Sequence, residues 1–172
     1  KFFDADGPDR VLATGLKQYP CFALGQGPIS AAIELRQRLP QGARIERLTV
    51  SLANTGPARL RLRDSHGRVP ASREAADHSI YFLVAVALID GYFGLDQLSG
   101  GRWQDADVGD LIVRMEATID PQLTPITSLP CRLVAALSGG ERIVIDRPVT
   151  PGNPQMPSAW GGVREKVRGR AG

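Results

Sequence analysis

The run Ile80-Tyr81-Phe82-Leu83-Val84-Ala85-Val86-Ala87-Leu88-Ile89 constrains this chain more than any other feature, being ten residues with no charge among them. A membrane span takes about 20 apolar residues, so this run is too short to cross a bilayer. A helix that is apolar on nearly every side must instead be covered on nearly every side by protein. The rest of the chain therefore has to supply a layer around it. With 172 residues, 42% of them hydrophobic, it can do so as one domain. Ser72 reads as an N-cap ahead of the run, with Glu74 in the first turn, and Gly91 and Gly94 end it.

The flanking segments show two periodicities. From Pro28 the pattern is helical, with Ile29, Ala32, Ile33 and Leu35 on an apolar face and Glu34, Arg36 and Arg38 on a wet one, stopped by Pro40-Gln41-Gly42. Arg44–Ala53 alternates as a half-buried strand, and one slip at Arg47 predicts a bulge or a late start. Arg59–Gly67 reads as a basic, solvated loop, and Asp105–Leu111 as a short amphipathic piece. Three strand-like runs follow, Ile112–Ile119, Cys131–Leu137 and Arg142–Val149, the last two joined through Ser138-Gly139-Gly140-Glu141 as a hairpin. A basic terminal helix is expected around Ser158–Arg168. The sum is an α+β fold, a mostly antiparallel sheet of about four strands with helices packed on one face.

Composition removes several function classes. The net charge of +3 is a weak field over this length, and none of the few aromatic residues (6%) lies among the basic residues of Arg59–Arg68 to stack on bases, so nucleic acid is not an expected partner. Cys21 and Cys131 form no framework and read as reduced thiols of a cytoplasmic protein. With His66 and His78 as the only histidines, no metal-binding cluster has the spacing for zinc. Gly25-Gln26-Gly27 has Ser30 where a dinucleotide fingerprint needs its third glycine. Chemistry here is expected from side chains alone, with no metal or cofactor. The stretch beginning Lys1-Phe2-Phe3-Asp4 has no apolar leader and is expected to be a cut within a longer protein.

Two segments carry a family resemblance. Lys17-Gln18-Tyr19-Pro20, continuing to Ala31-Ala32, resembles the K-x-Y-P … A-A segment of the MmgE/PrpD family, which includes 2-methylcitrate dehydratase and cis-aconitate decarboxylase. Asp77-His78-Ser79-Ile80-Tyr81 through Leu88-Ile89-Asp90-Gly91 is similar to that family's H-S-x-x-Y … L-D-G helix. Asp120-Pro121, Leu137-Ser138-Gly139-Gly140, Pro151-Gly152-Asn153-Pro154 and Lys166 fit in order. The resemblance covers about residues 11–168 and concerns the smaller C-terminal domain, which a larger all-helical domain normally precedes. It implies a site in the cleft between the two domains, small di- or tricarboxylate substrates, a homodimer, and elimination, decarboxylation or epimerisation beside a carboxylate. Removing a proton alpha to a carboxylate needs a base, and cations must hold the charge that develops. Lys17 is the expected cation, and His78, with its imidazole at the start of the long helix, the expected acid/base group. Gln26, Ser79 and Tyr81 complete the expected substrate contacts.

The departures from the family pattern narrow the reading. Phe22 stands where decarboxylase-like members have a histidine, and Gln26 matches the methylcitrate dehydratases. The tyrosine of the long helix belongs at position 82, where Phe82 stands, while Tyr81 comes one place early, a turn of about 100° around a helix. Dehydratase-like or epimerase-like chemistry is favoured over decarboxylation. The alternative is a non-catalytic family module that serves in assembly.

Overall fold

The computed structural model describes residues 14–63, 68–125 and 128–157. His66, the start at Lys1 and the expected helix at Ser158–Arg168 with Lys166 lie outside them. The apolar run forms α4 (Ile80–Asp90), in which every residue from Phe82 to Leu88 is buried. α1 (Gln26–Arg38) packs beside it and also covers the strands β3 (Cys131–Leu137) and β4 (Arg142–Arg147). After the short α5 (Leu95–Ser99), α6 (Ala106–Val113) closes α4 from another side. The strands β1 (Ile45–Ala53) and β2 (Met115–Asp120) complete one sheet, in the order β2-β1-β3-β4. Leu48, Val50 and Leu52 of β1 and Leu133 and Ala135 of β3 point into the core, while Thr49, Ser51, Arg132 and Val134 between them are only partly covered. Helices cover one face of the sheet, as the alternation requires.

Local chemistry accounts for the element ends. Ser72 caps the short α3 (Arg73–Ala76) by accepting from the Ala75 N–H, and Ser79 caps α4 by accepting from the Phe82 N–H at 3.1 Å. Gly91 ends α4 in the left-handed region (φ 79°). The Arg36 guanidinium, reaching across from α1, takes the Leu88 carbonyl at 3.0 Å and also that of Ile89. The expected bulge falls between Ile45 and Arg47, where the β1–β3 register shifts.

The expected mostly antiparallel sheet of four strands is present, with two antiparallel pairings and one parallel: β2 runs parallel to β1, with Leu48 opposite Met115. The connection from β1 to β2 runs through all the helices from residue 56 to 113, and such a crossover returns a strand parallel. Two expectations are corrected. β2 starts at Met115 rather than Ile112, because Ile112 and Val113 form the last turn of α6. Residues 56–63 are a helix, α2 (Gly56–Arg63), and not a loop. Thr55 Oγ1 accepts from the Ala58 N–H at 3.1 Å, and Pro57 suits a first turn. Only Ala58 of this helix is buried, so no apolar periodicity betrays it.

Candidate functional site

Two neighbouring hollows meet at Lys17. The smaller, about 350 Å³, is lined by Lys17, Tyr19, Pro20, Cys21, Phe22, Asp77 and His78. The larger, about 420 Å³, lies between the segment Gly15–Lys17, Gln26, Ser128–Leu129 and the turn Thr150–Asn153. The fold thus brings Lys17 and His78, far apart in sequence, to one wall.

The segment that carries Lys17 is held from below. Gln26, 2% exposed at the start of α1, accepts through Oε1 from the N–H groups of Gln18 and Tyr19, both at 2.9 Å. Its Nε2 donates to the Tyr19 carbonyl at 3.0 Å and to Cys21 Sγ at 3.2 Å. One side-chain amide therefore satisfies four groups of an irregular segment that has no ladder of its own. The glycines beside it serve close approach. A Cβ on Gly25 would stand 2.7 Å from Leu83 Cδ1 and 2.9 Å from Cys21 Sγ, and one on Gly27 3.1 Å from Cys131 Sγ. Packing against α4 and the sheet, not a phosphate, is what Gly25-Gln26-Gly27 accommodates.

His78 sits in the middle of the three-residue joint between α3 and α4, just ahead of the Ser79 cap and outside the first helical turn. Its Nδ1 bonds the Asp77 carboxylate and, at 3.2 Å, the Glu74 carbonyl. Both partners are acceptors, so Nδ1 carries a proton, and in the neutral ring the basic lone pair is on Nε2. Phe22 lies against the imidazole, ring centroids 5.3 Å apart, and the Arg61 guanidinium of α2 stands 5.8 Å from the Phe22 ring centre. The Phe22 N–H reaches the Asp77 carbonyl at 3.5 Å and so ties the Lys17 segment to the α3–α4 joint. Tyr19 is held protonated at neutral pH: burial raises its pKa, and a hydrogen bond with Ser30 offsets only part of that.

The remaining expected residues have other neighbours. Ser79 is 1% exposed, with its hydroxyl at the head of α4. Tyr81 lines neither hollow. Its hydroxyl accepts from the Ala117 N–H of β2 at 3.3 Å, and the Arg68 guanidinium stands 4.9 Å from its ring centre. Asp77 was missed by sequence reasoning, although its place beside His78 was a usable signal, since a carboxylate next to an imidazole fixes the tautomer.

Cys21 and Cys131 are buried and form no disulfide, and burial pushes the Cys131 thiol up to about 12, far from a reactive thiolate. Among the described residues no cluster of His, Cys, Asp or Glu could hold a metal ion, and no helix is long and apolar enough to cross a membrane.

Comparison with curated protein sequences returns no match. Comparison with family models matches residues 19–172 to the MmgE/PrpD C-terminal domain, a span that takes in α1, α4, the whole sheet and both hollows apart from Gly15–Lys17. The chain belongs to the MmgE/PrpD family and carries its C-terminal domain.

Proposed function

We propose that this chain is the C-terminal part of a cytoplasmic, metal- and cofactor-independent lyase of the 2-methylcitrate dehydratase type, acting on a small di- or tricarboxylate. The observation that carries this reading is the meeting of Lys17 and His78 in one hollow, with Asp77 fixing the imidazole proton on Nδ1. In the reaction, Lys17 pairs with a substrate carboxylate and His78 Nε2 takes the proton from the adjacent carbon. The C–H electron pair forms the new double bond, and the carbon–oxygen bond breaks. The leaving hydroxide needs a proton to become water, and that acid is assigned to the all-helical N-terminal domain, which forms the opposite wall of the cleft. Gln26 acts as a positioning residue for the Lys17 segment.

The second reading, a non-catalytic assembly module, is favoured by Phe22, whose ring lies against the His78 imidazole; an epimerase of the same family would use the same groups as the dehydratase. The first reading predicts that His78→Asn in the protein joined to its helical domain lowers kcat for hydroxy-tricarboxylate dehydration by roughly 100-fold, the usual worth of a general base. It also predicts that the chain alone does not dehydrate 2-methylcitrate or citrate. Full activity of either protein removes it, and inversion of a stereocentre without loss of water selects the epimerase.

A further inference from the structure

The two hollows that meet at Lys17 are made of different surfaces. The smaller brings an imidazole, a carboxylate and an amine to one wall. In the larger, about 420 Å³, the polar side chains of the wall are engaged with their own neighbours. The Gln26 amide is committed to the groups of Gln18, Tyr19 and Cys21. The Ser128 hydroxyl donates to Thr150 Oγ1 at 3.0 Å and accepts from the Thr150 N–H at 2.6 Å. Thr150 Oγ1 in turn donates to the Leu129 carbonyl at 3.3 Å, and Asn153 Oδ1 accepts from the Gln155 N–H at 2.9 Å. The backbone is paired where the two sides approach, with the Leu16 N–H donating to the Gly152 carbonyl at 2.8 Å.

Between these groups the wall is hydrocarbon, from Leu16, Ala23, Pro125, Leu129 and Pro151. Leu16, one residue before Lys17, is 65% exposed, and Ala23 and Pro125 are exposed as well. A polar ligand entering here would give up water for few partners, whereas an apolar one gains by covering the exposed side chains. A group the size of one water takes about 30 Å³, so the hollow has room well beyond a methyl group.

We propose that the larger hollow is an apolar subsite, which takes an alkyl arm several carbons long on an acid whose carboxylate pairs with Lys17. The inference rests on the carboxylate-binding role proposed for Lys17 and adds a substrate class to it: acids with a long alkyl substituent are preferred over unsubstituted ones. Binding of the arm needs no proton transfer in the smaller hollow, so the subsite and the dehydratase reading can fail separately.

The test is calorimetric binding of succinate, 2-methylsuccinate and 2-butylsuccinate to the protein joined to its helical domain. These acids carry no hydroxyl to lose, so binding is read without turnover. Affinity should rise about threefold for each methylene buried, on the order of 30-fold from 2-methylsuccinate to 2-butylsuccinate. Ala23→Trp fills the hollow from an exposed position outside the core, and should bring the ratio of the two Kd values back to near one. Leu16→Asp, also at an exposed position, should reduce the ratio by placing a charge in the wall. Equal affinities for the two acids, as a hollow filled by the helical domain would give, a ratio that survives both substitutions, or no binding of any of the three acids overturns the subsite. If the ratio holds and 2-methylcitrate is not dehydrated, the subsite stands and the dehydratase reading falls; dehydration with a ratio near one does the reverse.

Discussion

The two ends of α4 are built to opposite plans. At its C-terminal end described side chains take up the Leu88 and Ile89 carbonyls and the Asp90 carboxylate. Arg36 takes the last carbonyls, and Asp90 accepts from Arg102 at 2.7 Å and from Gln97 at 3.2 Å. Arg102 also reaches Asp105 and Asp107, so one cation answers three carboxylates and ties α4 to the start of α6. At the N-terminal end the amine of Lys17 and the imidazole of His78 line a hollow, with Asp77 beside the imidazole. A cation surrounded by protein carboxylates holds the fold; a hollow that presents an amine and an imidazole suits a ligand that brings a carboxylate. Asp90-Gly91, part of the family-like helix motif, is on this account structural.

Breaking the saturated end should have the largest effect on stability. Arg102→Ala leaves Asp90, 17% exposed, with Gln97 alone among its described partners, and should cost about 3 kcal/mol in chemical unfolding. It should leave the N-terminal end of α4 unchanged. Equal losses of stability and of turnover per folded molecule would erase the distinction between the two ends. Gln26→Leu acts at the open end through backbone alone. It strands the N–H groups of Gln18 and Tyr19 in a part-buried segment and should cost about 2 kcal/mol, with raised KM in the joined protein. Gln26→Glu, which keeps the two acceptor contacts, should recover much of the KM.

The smallest effect is in pH. Arg102's hydrogen bonds hold the Asp107 carboxyl below its ordinary range. A folded pKa below the unfolded one means stability that is complete above about pH 4 and is lost as pH falls through the folded value. Asp107 is half-exposed, so the contribution is under about 1 kcal/mol. Asp107→Asn should flatten the acid limb of the stability profile by that amount; an unchanged limb would take Asp107 out of the cluster's energetics.

How much of this was legible in the sequence depended on whether a signal was local. The buried helix, the bulge near Arg47, the Ser72 cap and the Cys131–Leu137 strand follow from periodicity and capping within a few residues. The parallel partner of β1 does not, because the alternation in Met115–Asp120 is the same whichever neighbour it finds. α2 hid because a helix that buries only Ala58 has no apolar stripe to read. Lys17 and His78 were legible as chemistry-bearing types through the family motif, and the fold puts them together. Gln26 was legible as a residue but not as a brace, since its four partners become neighbours only once the segment turns back over α1. Tyr81 belongs to the sheet edge, a role no spacing could reveal.

The contrast between the ends of α4 is tested most directly by Lys17→Ala in the protein joined to its helical domain, with thermal unfolding and turnover measured on the same sample. Lys17→Ala should lower Tm far less than Arg102→Ala does, and should lower kcat/KM on the order of 100-fold, equal to about 2.7 kcal/mol of transition-state stabilisation. A Tm lowered as far as by Arg102→Ala, with turnover per folded molecule intact, would contradict that contrast, by making Lys17 a structural cation like Arg102.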